Sequence, residues 1–318
     1  MEKILVTGSA GFIGMHLCQK LLKEGYQVFG LDNMNDYYDI IIKESRIKLL
    51  KDYENFNFVN CDILDNSGLT RIFKKFNPDK VVNLAAQAGV RYSLINPQVY
   101  MKVNVLGFLN ILEHCKKFNV KGLIYASSSS VYGGNQKIPF SVDDVVDKPI
   151  SIYAASKISN ELMAYTYGHL FSINTTGLRF FTVYGPWGRP DMAIHLFTKN
   201  ISNNKPIDVY NYGKMKRDFT YVKDIVSGTL SAIKKNYQCE VFNLGNNKVE
   251  ELKKVIQLIE IKLNKKARLN LKDIQPGDVK ETFADINYSK KMLGYSPSIS
   301  LEEGISLFIE WYQGQDLY

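Results

Sequence analysis

Ile4-Leu5-Val6-Thr7-Gly8-Ser9-Ala10-Gly11-Phe12-Ile13-Gly14, near the start of the 318-residue chain, decides the fold. The first residues are apolar and β-prone, and residues 12–23 repeat apolar side chains at helical spacing. A strand that runs through a glycine-rich turn into a helix is the opening unit of a dinucleotide-binding sheet. Gly8 permits the tight turn, Gly11 lets backbone approach a pyrophosphate, and Gly14 lets the helix pack on the sheet. Phe12 and Ile13 belong to the same cofactor-facing turn.

Working outward, the same alternation recurs. Apolar strand runs are predicted at residues 3–7, 27–31, 57–60, 80–84, 121–126 and 175–180. Helical patterns fall near residues 12–23, 67–76, 98–118 and 153–170. Strands alternating with helices predict right-handed βαβ units and a parallel sheet covered on both faces. The fold class is therefore α/β: a Rossmann-type doubly wound parallel sheet with a smaller mixed α/β C-terminal substrate-binding region. The expected division is 1–180 for the cofactor domain and 181–318 mostly for substrate, with short returns to the main sheet. Residues 34–55, with Tyr37-Tyr38 and a charged helical run, read as a surface insertion. After Pro186 the rhythm breaks, and two helices are expected at 250–263 and 301–312.

Asp32 ends the second strand about twenty residues beyond the glycines, where an acidic side chain accepts from both ribose hydroxyls and repels a 2′-phosphate. That favours NAD over NADP. Asp62-Ile63, at the end of the third strand, would reach the adenine. Leu84-Ala85-Ala86, after the fourth, present small side chains where a flat cofactor needs close backbone.

Composition narrows the function. A 45% hydrophobic, 12% aromatic chain can bury a sizeable core. The 40 Lys+Arg against 32 Asp+Glu give +8, but the basic residues are scattered, and no nucleic-acid-binding motif accompanies them. No nucleic-acid partner is expected. No apolar run reaches the ~18 residues of a membrane span, and Met1-Glu2-Lys3 leads straight into a strand pattern. Cys18, Cys61, Cys115 and Cys239 are widely spaced, so they read as reduced thiols of a cytoplasmic protein without a metal site.

Tyr153-Ala154-Ala155-Ser156-Lys157 places a phenol and an ammonium four residues apart on one helical face. A phenol near pKa ~10 is a poor base at neutral pH. A neighbouring ammonium and a positive nicotinamide ring both favour the phenolate. Ser127-Ser128-Ser129-Ser130 follow the fifth strand, where a hydroxyl could bind the same reacting oxygen; a polar turn is the other reading of that run.

With these residues in view, the chain resembles the extended short-chain dehydrogenase/reductases, in particular the nucleotide-sugar epimerases, and most of all the UDP-glucuronate 4-epimerases. The resemblance spans residues 7–14, 85–93, 153–157, 179–193, 208–220 and 276–278. It implies Ser128, Tyr153 and Lys157 as the catalytic set, with Ser129 or Ser130 sharing the serine's task. It implies that Asn104 orients the lysine through water on the cofactor side. It assigns Arg217 to the diphosphate and Asp278 to the nucleotide ribose or to that arginine, and places Arg91 in the substrate site. The galactose-type epimerases often carry a second diphosphate arginine where this chain has Gln275.

What the resemblance implies as reaction is NAD-dependent inversion at C4 of UDP-glucuronate to UDP-galacturonate. Tyr153 takes the 4-hydroxyl proton, and the resulting 4-keto sugar turns over in the site before reduction. Such a β-keto acid loses carbon dioxide when its carboxylate stands perpendicular to the ketone, so the carboxylate must be held. Thr182, Ser129, Ser130 and Arg189 are the expected holders. UDP-glucuronate decarboxylation, 4-epimerisation of UDP-glucose or UDP-N-acetylglucosamine, and a non-catalytic NAD-binding regulator stand as alternatives. A homodimer built on the helices at 98–118 and 153–170 is the family's habit, and a role in polysaccharide biosynthesis follows from the product.

Overall fold

The computed structural model describes residues 1–315. Its centre is a seven-stranded parallel sheet. Six strands come in order from residues 3–180: β1 (Lys3–Thr7), β2 (Gln27–Asp32), β3 (Phe56–Asn60), β4 (Lys80–Asn83), β5 (Gly122–Ser128) and β6 (Asn174–Phe180). The seventh, Glu240–Leu244, returns from the second half and pairs with β6. The spatial order runs β3, β2, β1, β4, β5, β6 and then that seventh strand. The order reverses between β1 and β4, and there the doubly wound sheet opens a crevice at its carboxyl edge.

Alternation along each strand divides the core into two layers. Ile4, Val6, Val82 and Ile124 face one apolar cluster, with Met15 and Cys18 of α1 (Phe12–Lys23) and Ile225 of the helix Val222–Lys235. Leu5, Val81 and Leu123 face the other, with Leu69 and Phe73 from Asn66–Phe76 and Ile111 from Phe108–Lys117. Neighbouring residues of one strand serve opposite faces because the pleat has period two. A third cluster, including Phe197, Ile207, Val255 and Phe308, fills the second half. There the sheet gives way to three two-stranded pieces.

Three expectations are corrected. Residues 34–55 are not a surface insertion: α2 (Ile40–Lys51) is the crossover between β2 and β3 and buries Ile42, Lys43, Arg46, Ile47 and Leu50. Its stripe is helical in spacing, but two of its members are charged, which disguised it. Second, Ser127 and Ser128 do not follow β5; they are its last two residues, because the ladder continues through Ser127 opposite Arg179 and Ser128 opposite Phe180. Third, the helix expected at 98–118 widens to a π-helical stretch over Met101–Gly107. The Asn160 side chain donates to the Asn104 carbonyl at 2.6 Å, and such an insertion into the helical ladder is what opens a turn.

Candidate active site

A cavity of about 1360 Å³ follows the carboxyl edge of the sheet. Its floor begins at the glycine turn. Gly8 has φ +70°, and a Cβ there would sit 2.7 Å from the Ala85 nitrogen; at Gly14 a Cβ would collide with the Gly8 carbonyl. The β1 turn, the β4 end and α1 therefore close up only because side chains are missing. That leaves a shallow backbone cradle at a helix N-terminus, which fits a dinucleotide pyrophosphate. Phe12, Ile13, Asp32, Asp62, Ile63, Leu84, Ala85 and Ala86 line the same arm of the cavity as Gly8, Gly11 and Gly14.

Asp32 does more than end a strand. Its Oδ2 accepts from the Ala10 N–H at 3.2 Å and its Oδ1 from Met34 N–H at 2.9 Å, so the carboxylate also shapes the glycine turn. Lys43 lies 3.5 Å from Oδ1, with burial holding its ammonium below the usual lysine pKa. Asp62 accepts from Asn33 and from the Leu64 N–H. Nothing in the sequence marks Lys43 as a site residue, because its charged stretch reads as an insertion.

The candidate catalytic side chains are set by the helix Ile152–Phe171. Ser151 caps it, its hydroxyl accepting from Ala154 N–H at 3.1 Å, so Tyr153 sits in the first turn and Lys157 one turn behind. Burial pushes the Tyr153 phenol up, while a hydrogen bond with Ser128 and the charge of Arg189 pull it down. The helix N-terminus favours phenolate in the same direction. Lys157 is buried, donates to the Ala126 carbonyl at 2.8 Å, and is lowered by burial to about 8.

The four serines separate by geometry. Ser127 spends its hydroxyl on Glu161, to which it donates. Ser128 bonds Tyr153 and also accepts from the Ser130 N–H at 3.1 Å. Ser129 and Ser130 line the cavity with it. Beneath them Glu161 holds Arg179 through two bonds of 2.9 and 2.8 Å, and Arg179 donates to the Tyr132 hydroxyl. This buried pair was not foreseen; the only trace in sequence is Glu161 standing one turn beyond Lys157.

Asn104 alone of the proposed site residues lies outside the cavity wall. Its amide brackets the Gln87 backbone, accepting from N–H at 2.8 Å and donating to the carbonyl at 3.0 Å, and donates to Ser156. It braces the turn after β4 against the Tyr153 helix.

The far arm of the cavity gathers Arg91, Thr182, Arg189, Arg217 and Asp278. Arg91 pairs with Asp278 at 2.9 Å and lies 4.2 Å from the Tyr210 ring centre. Burial lowers the Arg217 guanidinium, with Asp278 countering it. Two arginines thus reach this end from separate segments, although Gln275 supplies none. Arg189 is paired with Asp191.

Comparison with known proteins agrees with this geometry. The NAD dependent epimerase/dehydratase family profile matches residues 4–245. Protein CapI of Staphylococcus aureus is 50% identical over 98% of this chain and 98% of its own. The UDP-glucuronate 4-epimerase of Thermodesulfobacterium geofontis is 46% identical over 98% of this chain and 96% of its own. The Bacillus cereus UDP-glucuronic acid 4-epimerase, solved with UDP-glucuronic acid and NAD, aligns with TM-score 0.93 at 37% identity, covering 98% of this chain and 99% of that one. A cradle shaped for a dinucleotide and a Tyr–Lys–Ser centre, with relatives alike over almost their whole length, leave one conclusion: the chain belongs to the NAD dependent epimerase/dehydratase family.

Proposed function

We propose that the protein is a UDP-glucuronate 4-epimerase that forms UDP-galacturonate through a 4-keto sugar. The observation that carries this reading is the convergence of Thr182, Ser129, Ser130 and Arg189 on the cavity that holds Tyr153. Hydroxyl donors and a guanidinium there suit a sugar carboxylate, and relatives of similar length bear that activity in their names. NAD supplies reversible hydride transfer at the sugar C4. Tyr153 accepts the 4-hydroxyl proton and later returns it. Ser128 holds the same oxygen, and Lys157 keeps the phenol acidic enough to ionise. Asp32 takes the adenosine ribose, Asp62 and Ile63 the adenine, and Arg217 with Arg91 the diphosphate.

In this reading residues 1–180 carry mostly cofactor and 181–318 mostly the UDP-sugar. We infer a cytoplasmic homodimer supplying polysaccharide synthesis. Met101, Leu106, Leu162, Tyr165 and Leu170 expose apolar surface on the two helices expected to pair, which supports that contact. No described helix is long and apolar enough to cross a membrane.

The test is incubation of the purified protein with UDP-glucuronate, with products resolved chromatographically. UDP-galacturonate as the main product is expected. A UDP-pentose as main product, or conversion of UDP-glucose in preference to UDP-glucuronate, would overturn the assignment.

A further inference from the structure

We propose that Arg46 of α2 is a positioning residue that locks the 185–191 loop, and with it Arg189, onto the glycine turn, with Tyr37 as its second point of hold. The proposal rests on reading Arg189 as a sugar-contacting group, as above.

Arg46 is wholly buried. A buried guanidinium is costly unless it is paired or fully hydrogen-bonded, and an apolar side chain would fill the space at lower cost. Among the described residues no carboxylate lies within ion-pair distance of it, and its Nε has no partner. What it has instead is three acceptors from three segments. Nη1 donates to the Ala10 carbonyl at 2.9 Å and to the Tyr38 hydroxyl at 2.6 Å; Nη2 donates to the Trp187 carbonyl at 2.7 Å. The Tyr38 ring lies 5.4 Å from its guanidinium carbon. A rigid planar fork is the group that bridges divergent carbonyls in this way.

Both ends of the bridge matter for chemistry. Ala10 lies between Gly8 and Gly11, and its own N–H goes to Asp32. The β2–α2 unit thus grips one residue of the cofactor turn by its donor and its acceptor. Trp187 stands two residues before Arg189 and holds φ +60°, a conformation that a side chain adopts only when surroundings compel it. His16 of α1 donates from Nε2 to the Pro186 carbonyl at 2.8 Å, fixing the residue before it.

Tyr37 works at the other side of the loop. Its hydroxyl donates to Asp191 at 3.4 Å, its ring centre lies 5.7 Å from the Arg189 guanidinium carbon, and it packs on Tyr92 at 5.1 Å. The segment that begins at Asp32 therefore reaches across the cavity and holds the Arg189–Asp191 pair. Small displacements of a group that orients substrate have large effects on rate. A loop pinned by backbone carbonyls to the cofactor turn keeps Arg189 in a fixed place relative to Tyr153, on which its charge acts.

The test uses the NAD-loaded enzyme and three variants: Arg46→Met, Arg46→Lys and Tyr37→Phe. Arg46→Met should raise amide hydrogen exchange across residues 185–191 and lower kcat about tenfold or more at saturating NAD. Arg46→Lys keeps the charge but not the fork, and should restore only part of both. Tyr37→Phe should raise KM for UDP-glucuronate several-fold while changing kcat less. If Arg46→Met does not fold, the lysine variant and Tyr37→Phe decide. Unchanged exchange at 185–191 in the arginine variants, or kcat and KM within twofold of the parent per folded molecule, would overturn the proposal. A role in stability alone would lower only the melting temperature. The exchange measurement needs no substrate, so it stands even if UDP-glucuronate proves not to be turned over.

Discussion

Lys157 holds its ammonium 6.0 Å from the centre of the Tyr153 ring, one helical turn behind it, while donating to the Ala126 carbonyl at 2.8 Å. The lysine is thus fixed by backbone, and under the proposed function its charge is what it lends to the phenol. Burial works against both groups, lifting the phenol and lowering the ammonium to about 8. Ser128 and Arg189 pull the phenol down, and under the proposed function the charged form of Lys157 adds to that pull. We expect Tyr153→Phe to lower turnover by at least about a hundredfold with NAD still bound. In Lys157→Met the rising limb of the kcat–pH profile should move to higher pH, because the group favouring phenolate is gone. Near-normal rates for Tyr153→Phe would remove it as the base.

Asp32 supports the glycine turn through the Ala10 N–H, and under the proposed function the same carboxylate meets the adenosine ribose. Asp32→Ser should therefore weaken NAD and strengthen NADP relative to it, since repulsion of the 2′-phosphate disappears. Titration of both cofactors by fluorescence checks this. A parent protein that already binds the two equally would show the carboxylate to have only its backbone role.

Thr182 starts the short strand Thr182–Tyr184, paired in parallel with Phe219–Tyr221, so its hydroxyl is held at the cavity wall. Loss of one charge-assisted hydrogen bond is worth about 1.5–3 kcal/mol, or roughly ten- to a hundredfold. Thr182→Ala should cost UDP-glucuronate turnover by that factor, spare UDP-glucose binding and leak a detectable 4-keto-pentose. Equal losses for acidic and neutral sugars would detach Thr182 from the carboxylate.

His16 predicts an acid sensitivity of the fold. Burial and the charge of Arg46 lower it from 6.5 to about 4, opposed by its bond to the Pro186 carbonyl. Between those values the unfolded chain binds the extra proton and the native state does not, so stability falls as pH drops from 6.5 toward 4. The full shift would correspond to about 3 kcal/mol, less here because the ring is partly exposed. His16→Gln, which retains a donor for Pro186, should flatten that slope in urea unfolding measured at pH 7 and 4.5. An unchanged slope would place the acid sensitivity elsewhere.

Several features are legible in the sequence. The strand–glycine–helix opening, Asp32 at the end of β2 and the Tyr153–Lys157 spacing are local patterns, each set by residues within one or two turns of chain. The helices Leu252–Leu263 and Leu301–Gln313 were likewise readable from apolar spacing. The strand Glu240–Leu244 was not placed, because joining the main sheet depends on an edge at β6 that no nearby residue records. The serine run shows the same limit: four identical side chains cannot be ranked by pattern, and it is the β6 ladder that turns Ser127 toward Glu161 and Ser128 toward Tyr153.

Arg46 marks where sequence alone stops. Its position on a buried helical stripe, Ile42-Arg46-Leu50, is visible in the periodicity, yet a charged residue there reads as surface. Only the folded chain brings it to Trp187, 141 positions away. Backbone carbonyls carry no sequence signature, and every residue but proline offers the same donor and acceptor to the chain. Local pattern fixes the strand–glycine–helix opening, Asp32 and the Tyr153–Lys157 pair; which loop is anchored to which is settled only in the folded chain, because that depends on where main-chain acceptors converge.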